Sequence, residues 1–169
     1  MEALTSRLLS ILSWFLRAVA IAAPILTAWI WIDLEASHGF AFERICRTIT
    51  PETVTPFERG LGAVLAVTHV MLLSYACWKL SYFFSESANG RYLSSKAVKA
   101  FKAFAIFASL HLVSLHLLYI VFSKILTGGV SVTFVSDDLK MLITVFIAFA
   151  VSIVMERGYA ANSENERFL

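Results

Sequence analysis

The amino-acid sequence predicts an all-α fold: an integral membrane four-helix bundle with both termini on the cytoplasmic side. Hydrophobic residues make up 59% of the 169 residues and the mean hydropathy is +0.75, which is too apolar for a soluble chain of this length. Four apolar runs are each long enough to cross a bilayer. A basic stretch, residues 85–102, separates the two longest runs and indicates their orientation.

The two runs that flank the basic stretch predict a transmembrane hairpin. Residues 61–84 contain Lys79 as their only charged residue, and residues 103–123 contain none. At ~1.5 Å of rise per residue, both are long enough for a hydrocarbon core of ~30 Å. Short loops rich in Lys and Arg stay in the cytoplasm, so the stretch between the runs is expected there. Its cations, opposed by the single anion Glu86, are Arg91, Lys96, Lys99 and Lys102.

The remaining segments follow from this hairpin. The predicted spans are residues 8–32, 60–84, 98–125 and 139–157. The predicted connections are an outer loop at 33–59, a cytoplasmic basic turn at 85–97 and a cytoplasmic tail at 158–169. With this arrangement nine of the fourteen Lys and Arg residues fall on the inner side, which agrees with the expected orientation.

The first span has two further features. Arg17 lies about two turns into it, and its long side chain is expected to snorkel back towards the interface where Arg7 lies. The small residues after Arg17 also resemble a signal-peptide cleavage site. Apolar sequence continues to Trp29 and Trp31, which look like an aromatic belt at the far interface, so a retained span is favoured over a cleaved signal peptide.

Polar residues at the ends of the runs predict where helices begin. Asn89 and Gly90 predict a turn after the second span, and Ser94 or Ser95 is expected to cap the third helix. Ser136 and the two aspartates that follow it predict the start of the fourth helix, because carboxylates favour the positive end of the helix dipole.

Composition and motifs argue against several classes of function. The formal net charge is only +2 and the cations are dispersed, so direct binding to nucleic acid is not expected. GxSxG, HExxH, CxxC and glycine-rich phosphate-loop motifs are absent, and no acidic residue lies in the interior of a predicted span. We therefore predict that the chain is not an enzyme. Cys46 and Cys77 are expected near opposite faces of the membrane, too far apart for a disulfide.

Histidines inside the spans suggest a binding site. His69 and His116 each lie eight residues from the outer end of a span, about 12 Å deep, so they can face one another. Two imidazoles between helices hold haem b in membrane bundles, which makes His69 and His116 a candidate haem pair. His111, about 140° around the helix from His116, is expected to point elsewhere. The alternative is that each histidine bonds a neighbouring hydroxyl, with these available: Thr68, Ser74, Ser109 and Ser114.

Three short motifs in the second half of the chain carry a family resemblance. Residues 89–94 read Asn-Gly-Arg-Tyr-Leu-Ser, Asp138 and Leu139 open the fourth span, and Glu156 precedes a Glu-Asn-Glu tail at 164–166. In these features the chain resembles the bacterial domain of unknown function 2975 family of small four-helix integral membrane proteins. The likeness covers most of residues 60–169. The chain departs from the family at residues 97–102, where many members carry an arginine pair.

The resemblance implies a multi-pass protein of the bacterial inner membrane, no established enzymatic activity and frequent genetic pairing with a small Cro/CI-like helix-turn-helix regulator. We therefore expect this chain to bind and regulate another protein. The chain itself is expected to need no cofactor and to make no contact with nucleic acid. The alternative is a haem-binding or accessory subunit of a membrane electron-transfer complex. The expected docking residues are Arg91, Tyr92, Lys96, Lys99, Glu164 and Glu166. The alternative is that these residues form an ordinary solvated or lipid-facing surface.

Overall fold

The structure is a computed structural model that describes residues 2–32, 55–127 and 136–165. These ranges contain four α-helices and no β-strand, so the predicted all-α fold with four helices is confirmed for this part of the chain. The helices are α1 (Glu2–Ile32), α2 (Pro56–Ala88), α3 (Ser95–Thr127) and α4 (Ser136–Asn165).

All four helices are long and apolar enough to cross a bilayer. They contain 31, 33, 33 and 30 residues, or about 45–50 Å of helix against a hydrocarbon core of ~30 Å. Many large apolar side chains point outwards, such as Ile11 and Val154, which are 65% and 69% exposed. An extensive apolar surface of this kind suits contact with lipid rather than with water. The architecture is therefore that of a multi-pass membrane protein.

Each helix packs against its neighbour in the sequence, so that α2 and α3 form the centre. Within the described ranges no comparable interface joins α1 to α4. Consecutive helices are antiparallel: the Ser6 hydroxyl, early in α1, donates to the carbonyl of Ala88 at the end of α2. Lys102, early in α3, pairs with Glu156, late in α4. We call the end of the bundle that holds these contacts the turn end, because residues 89–94 join α2 to α3 there.

The helices extend beyond the predicted spans. Each predicted span falls inside one helix, but α2 already begins at Pro56, inside the predicted outer loop, and α4 continues to Asn165, into the predicted tail. The rest of the outer loop, with Cys46, and the last residues of the tail, with Glu166, lie outside the described residues.

The interface between α1 and α2 is built on small polar residues. The Ser13 hydroxyl donates to the Ser81 carbonyl at 2.8 Å, and the Ser81 hydroxyl donates to the Trp78 carbonyl at 2.7 Å. Ser13 and Ser81 are both buried. Small residues let helix backbones approach closely where lipid provides no hydrophobic driving force, and their hydroxyls are satisfied by backbone carbonyls. This close approach places Arg17 of α1 directly against α2.

At the opposite end of the bundle Trp31 lies over Gly62. A Cβ atom at position 62 would overlap the Trp31 ring, so a glycine is needed for this close approach. Trp31 is 7% exposed and packs with Ala66 and Leu118, which joins α1, α2 and α3. Trp31, expected at the membrane interface, is therefore a core residue, whereas Trp29 is exposed.

Candidate functional site

Glu86, near the end of α2, holds the turn between α2 and α3. Its carboxylate accepts hydrogen bonds from the Arg91 guanidinium at 3.1 Å and from the Ser94 hydroxyl at 3.4 Å. Its backbone carbonyl accepts from the Arg91 amide at 3.0 Å. Gly90 reverses the chain with a φ of 74°, a left-handed conformation that favours glycine. These contacts and the left-handed Gly90 define the conformation of the turn.

Ser94 caps the N-terminus of α3, as predicted. Its hydroxyl accepts a hydrogen bond from the Ala97 amide at 3.2 Å, and its carbonyl accepts from the Val98 amide at 3.0 Å. This is the usual arrangement at a helix start, where the first amides have no partner within the helix. The cap fixes the direction in which α3 leaves the turn.

Helix α4 supports the turn from one side. The Leu93 side chain lies against Gly158, with its Cδ2 atom 3.6 Å from the position that a Cβ atom would take there. About two turns from the ends of the two helices, Lys102 Nζ and Glu156 Oε1 form an ion pair at 2.7 Å. Both partners are exposed, so the pair adds little stability. It does pair one cation of α3 with one anion of α4 at this end.

Four of the six predicted docking residues lie together at the turn end. Tyr92 is 59% exposed, and Lys96 and Lys99 are exposed on the first turns of α3. Arg91 is exposed as well, but its charge is shared with Glu86. Neither Lys96 nor Lys99 forms an ion pair within the part of the chain that the structure describes. We call Tyr92, Lys96 and Lys99 the docking surface.

Of the two predicted acidic docking residues, Glu164 lies at the end of α4. Glu164 is exposed and lies eight residues beyond Glu156, or about 12 Å further along the helix axis. Lys96 lies about 9 Å beyond Lys102 on the antiparallel neighbour α3, so Glu164 and Lys96 reach similar heights. The turn end therefore offers an anion as well as cations. Glu166 is outside the described residues.

A polar contact between two histidines lies inside the interface of α2 and α3. The rings of His69 and His111 stack, with centroids 4.0 Å apart and planes at 21° to each other. Both residues are buried, at 8% and 7% exposed. His69 Nδ1 lies 2.7 Å from the Ser114 Oγ atom, and His111 Nδ1 lies 3.3 Å from the His69 carbonyl oxygen. The contact thus ties the two central helices together.

The hydrogen bonds assign the same tautomer to both rings. A carbonyl oxygen can only accept, so His111 Nδ1 carries the hydrogen that it donates to the His69 carbonyl. Ser114 donates its own hydrogen to the His111 carbonyl at 2.8 Å, so it accepts from His69 Nδ1. In the neutral rings the lone pairs are therefore on the Nε2 atoms.

The expectation that His111 points away from His69 is wrong. A depth estimate places His116 level with His69, but depth says nothing about rotation around the helix. The α3 residues that meet α2 include Phe107, which contacts Tyr75, and His111 one turn later. His116 lies about 140° around α3 from His111, and its Nδ1 donates to the Leu112 carbonyl of its own helix at 3.0 Å.

The donor chemistry of His69 and His116 is compatible with haem. Each donates its Nδ1 hydrogen to an oxygen, as histidines that bind a metal through Nε2 commonly do. His69, however, has the His111 imidazole stacked on its ring, which differs from a pair of histidines that face each other across a macrocycle. Haem binding by His69 and His116 stays a prediction. Across the described ranges no three metal-binding side chains lie together.

Sequence reasoning missed an aromatic cage around Arg17. The guanidinium carbon lies 5.2, 5.5 and 6.0 Å from the ring centroids of Trp14, Tyr82 and Trp78. Its Nε donates to the Ser81 hydroxyl at 3.4 Å. Attraction to the ring faces offsets part of the cost of a charge inside a span. The signal in the sequence was the helical spacing of Trp14 to Arg17 and of Trp78 to Tyr82.

No family model matches the chain, and no curated protein or solved structure matches it either. The resemblance to the domain of unknown function 2975 family rests on short motifs within residues 60–169 and stays a prediction.

Proposed function

We propose that the chain is a non-enzymatic protein of the bacterial inner membrane that binds and regulates a soluble cytoplasmic protein. The family resemblance suggests the class of partner, a small helix-turn-helix transcription regulator. The observation that carries the proposal is the docking surface, in which the exposed Tyr92 precedes by a few residues two exposed lysines, Lys96 and Lys99, that form no ion pair within the described residues.

The turn favours binding because it is already ordered. Glu86 holds Arg91 and Ser94, and Leu93 rests on α4, so the docking surface loses little conformational freedom when a partner arrives. Exposed tyrosines are enriched at the centres of protein interfaces, where they bury a large area with few rotatable bonds. Tyr92 is therefore expected to supply most of the contact energy.

The two lysines are expected to select the partner by charge. Cations without internal ion pairs attract an acidic surface and accelerate the encounter, whereas their contribution to affinity is modest. Glu164, at a similar height on α4, would repel the same acidic surface unless the partner carries a cation opposite it. A partner with adjacent acidic and basic patches fits this arrangement best.

The test uses a photo-crosslinking residue in place of Tyr92. Benzoylphenylalanine is incorporated at position 92 in the natural host, cells are irradiated, and the tagged chain is recovered under denaturing conditions. We expect an adduct whose peptides identify a helix-turn-helix protein. The double variant Lys96→Glu/Lys99→Glu should lose this adduct. Arg157→Glu, which reverses an exposed cation on α4 near the turn end, is the matched control and should keep it.

Charge reversal near a membrane can also disturb insertion, so the topology of each variant is checked in the same strain. The proposal is wrong if a correctly inserted Lys96→Glu/Lys99→Glu variant keeps the adduct at full yield. Adducts with lipid alone, or with no helix-turn-helix protein, would contradict it as well.

A further inference from the structure

The small residues of the α1–α2 interface recur every seven residues. On α1, Ser13 follows Ser6 by seven residues, and on α2, Ala88 follows Ser81 by the same spacing. The Ser6 hydroxyl donates to the Ala88 carbonyl, and the Ser13 hydroxyl donates to the Ser81 carbonyl. Seven residues are close to two helical turns, so each helix presents these residues on one face. The two hydrogen bonds therefore define which residues of α1 and α2 lie opposite one another.

The next step of this spacing brings Ala20 of α1 opposite Ser74 of α2. Both residues are 7% exposed, as expected inside a helix interface. At the far end of the two helices, the contact of Trp31 with Gly62 agrees with the same pairing to within one residue, so the register holds in between. Ala20 and Ser74 therefore lie at the same height on facing sides of α1 and α2.

The Ser74 side chain points towards α1. Ser74 lies about two turns from Ser81 and shares its face, and the Ser81 hydroxyl accepts a hydrogen bond from Arg17 of α1. The α2 residues that contact α3 include His69 and Tyr75, which lie about 100° or more away around the helix. The hydroxyl of Ser74 is thus directed into the α1–α2 interface.

The buried Ser74 hydroxyl makes no hydrogen bond within the described residues. Other hydroxyls inside the helices, such as those of Ser109 and Thr144, donate to the carbonyl four residues earlier in their own helix. Ser74 does not make this bond to Val70, although its own helix offers the same carbonyl. Buried hydroxyls in proteins are normally hydrogen-bonded, so Ser74 needs a partner at the interface.

Pro24 provides the complementary group on α1. In an α-helix the amide of residue 24 donates to the carbonyl of residue 20, but proline has no amide hydrogen, so the Ala20 carbonyl lacks this donor. Carbonyls that proline frees in membrane helices are satisfied by neighbouring side chains or by ordered water. The side chains of α1 at this height are small: Ala20 is buried, and Ala23 and Pro24 are half-buried.

We propose that Ser74 and Ala20 bind one water molecule between α1 and α2. The Ser74 hydroxyl donates to the water oxygen, and the water donates one hydrogen to the Ala20 carbonyl. A direct bond is not the observed arrangement, because the Ser74 hydroxyl has no acceptor of α1 within bonding distance. A cation suits the site less well, since a hydroxyl and a carbonyl carry no charge to offset its own. The water satisfies two buried polar groups where proline interrupts the hydrogen bonds of α1.

The first experiment is a double-mutant cycle on the full chain, with unfolding measured by titration with a denaturing detergent. We expect Ser74→Ala to shift the unfolding equilibrium about threefold towards the unfolded state, as for an average hydrogen bond between membrane helices. In Pro24→Ala, residue 24 regains an amide for the Ala20 carbonyl, so adding Ser74→Ala should have a clearly smaller effect. Ser109→Ala is the matched control and should have the same effect in both backgrounds.

The second experiment is a crystal structure at a resolution that shows ordered water. We expect one water peak about 3 Å from both the Ser74 Oγ atom and the Ala20 carbonyl oxygen, and no such peak in Ser74→Ala. Circular dichroism checks that the variants are folded.

Three results would overturn the proposal. Additive effects in the cycle would show that Ser74 and Pro24 act independently. A Ser74 hydroxyl bonded directly to the Ala20 carbonyl would show that the helices close the gap without water. A Ser74 hydroxyl bonded to the Val70 carbonyl would show that its own helix satisfies it, as in Ser109.

Discussion

The imidazole rings of His69 and His111 stack 4.0 Å apart between α2 and α3, and His69 also bonds the Ser114 hydroxyl across the same interface. Around them the interface is lined by aromatic pairs such as Tyr75 with Phe107. Aromatic pairs have preferred geometries, and the hydrogen bonds of the histidines add directional contacts to this packing. The histidine contact therefore contributes to the register of the two central helices.

The first prediction concerns Ser114. Ser114→Ala removes the acceptor of the His69 Nδ1 hydrogen inside a buried interface, and should lower the free energy of unfolding by about 1 kcal/mol, within the range measured for hydrogen bonds between membrane helices. Titration with a denaturing detergent measures the change. Ser109→Ala is the matched control, because within the described residues the Ser109 hydroxyl bonds only the Ala105 carbonyl of its own helix. Equal effects of the two substitutions would contradict the register role.

The second prediction concerns the close contact of α1 and α2 at Gly62. Gly62→Ala places a Cβ atom in the Trp31 ring and should lower the free energy of unfolding by about 1–3 kcal/mol, the usual cost of overpacking. Gly60→Ala is the control. A Cβ atom at position 60 would meet no atom of the described residues within 4 Å, and alanine favours helix by about 1 kcal/mol, so this variant should be neutral or more stable. Adding Trp31→Leu should restore much of the loss in Gly62→Ala. A stable Gly62→Ala single variant would contradict the contact.

The third prediction concerns the turn. Gly90 has a φ of 74°, and no atom lies within 4 Å of the position that a Cβ atom would take there, so a substitution acts through backbone strain alone. Gly90→Ala should lower the free energy of unfolding by about 1–2 kcal/mol, while Gly90→Asn should cost less because asparagine tolerates this conformation. The same detergent titration distinguishes them. If alanine and asparagine behave alike, the left-handed turn is not what the solution structure has.

Much of the architecture follows from local sequence signals. The four helices come from the length of the apolar runs, because only a helix satisfies its own backbone in a span. The cap at Ser94 was predictable because it is also local: its bonds to Ala97 and Val98 involve only the next few residues. Signals of this kind need no knowledge of how helices are arranged in space.

The parts that depend on helix rotation were not predictable. Sequence position gives the depth of a residue, so His116 qualified as a partner of His69, but the choice of His111 depends on which face of α3 meets α2. The same holds for Arg17. Its depth suggested a snorkelling side chain, and only the close approach of α1 to α2 shows that Trp78 and Tyr82 contact it. Rotation is set by many packing contacts at once.

The fourth prediction separates a binding partner from a redox carrier. Protein purified from haem-replete cells should show no Soret absorption, because the His111 ring is stacked on the His69 ring. Absorption spectra of the wild type and of His69→Ala and His116→Ala measure this. A Soret band that both substitutions abolish, and that His111→Ala leaves in place, would establish the alternative function of haem binding.

The fifth prediction, the orientation of the bundle, underlies the proposed function, since a cytoplasmic partner requires the docking surface on the cytoplasmic side. Single cysteines are placed at Tyr92, 59% exposed at the turn end, and at Phe57, 78% exposed at the other end of α2. The background carries Cys46→Ser and Cys77→Ser.

The cysteine variants are then treated with a membrane-impermeant maleimide in intact cells and after permeabilisation. We expect Phe57→Cys to be labelled in intact cells and Tyr92→Cys only after permeabilisation, because the cations of the basic turn hold it on the inner side. Labelling of Tyr92→Cys from outside intact cells, with Phe57→Cys protected, would contradict both the orientation and the cytoplasmic docking surface.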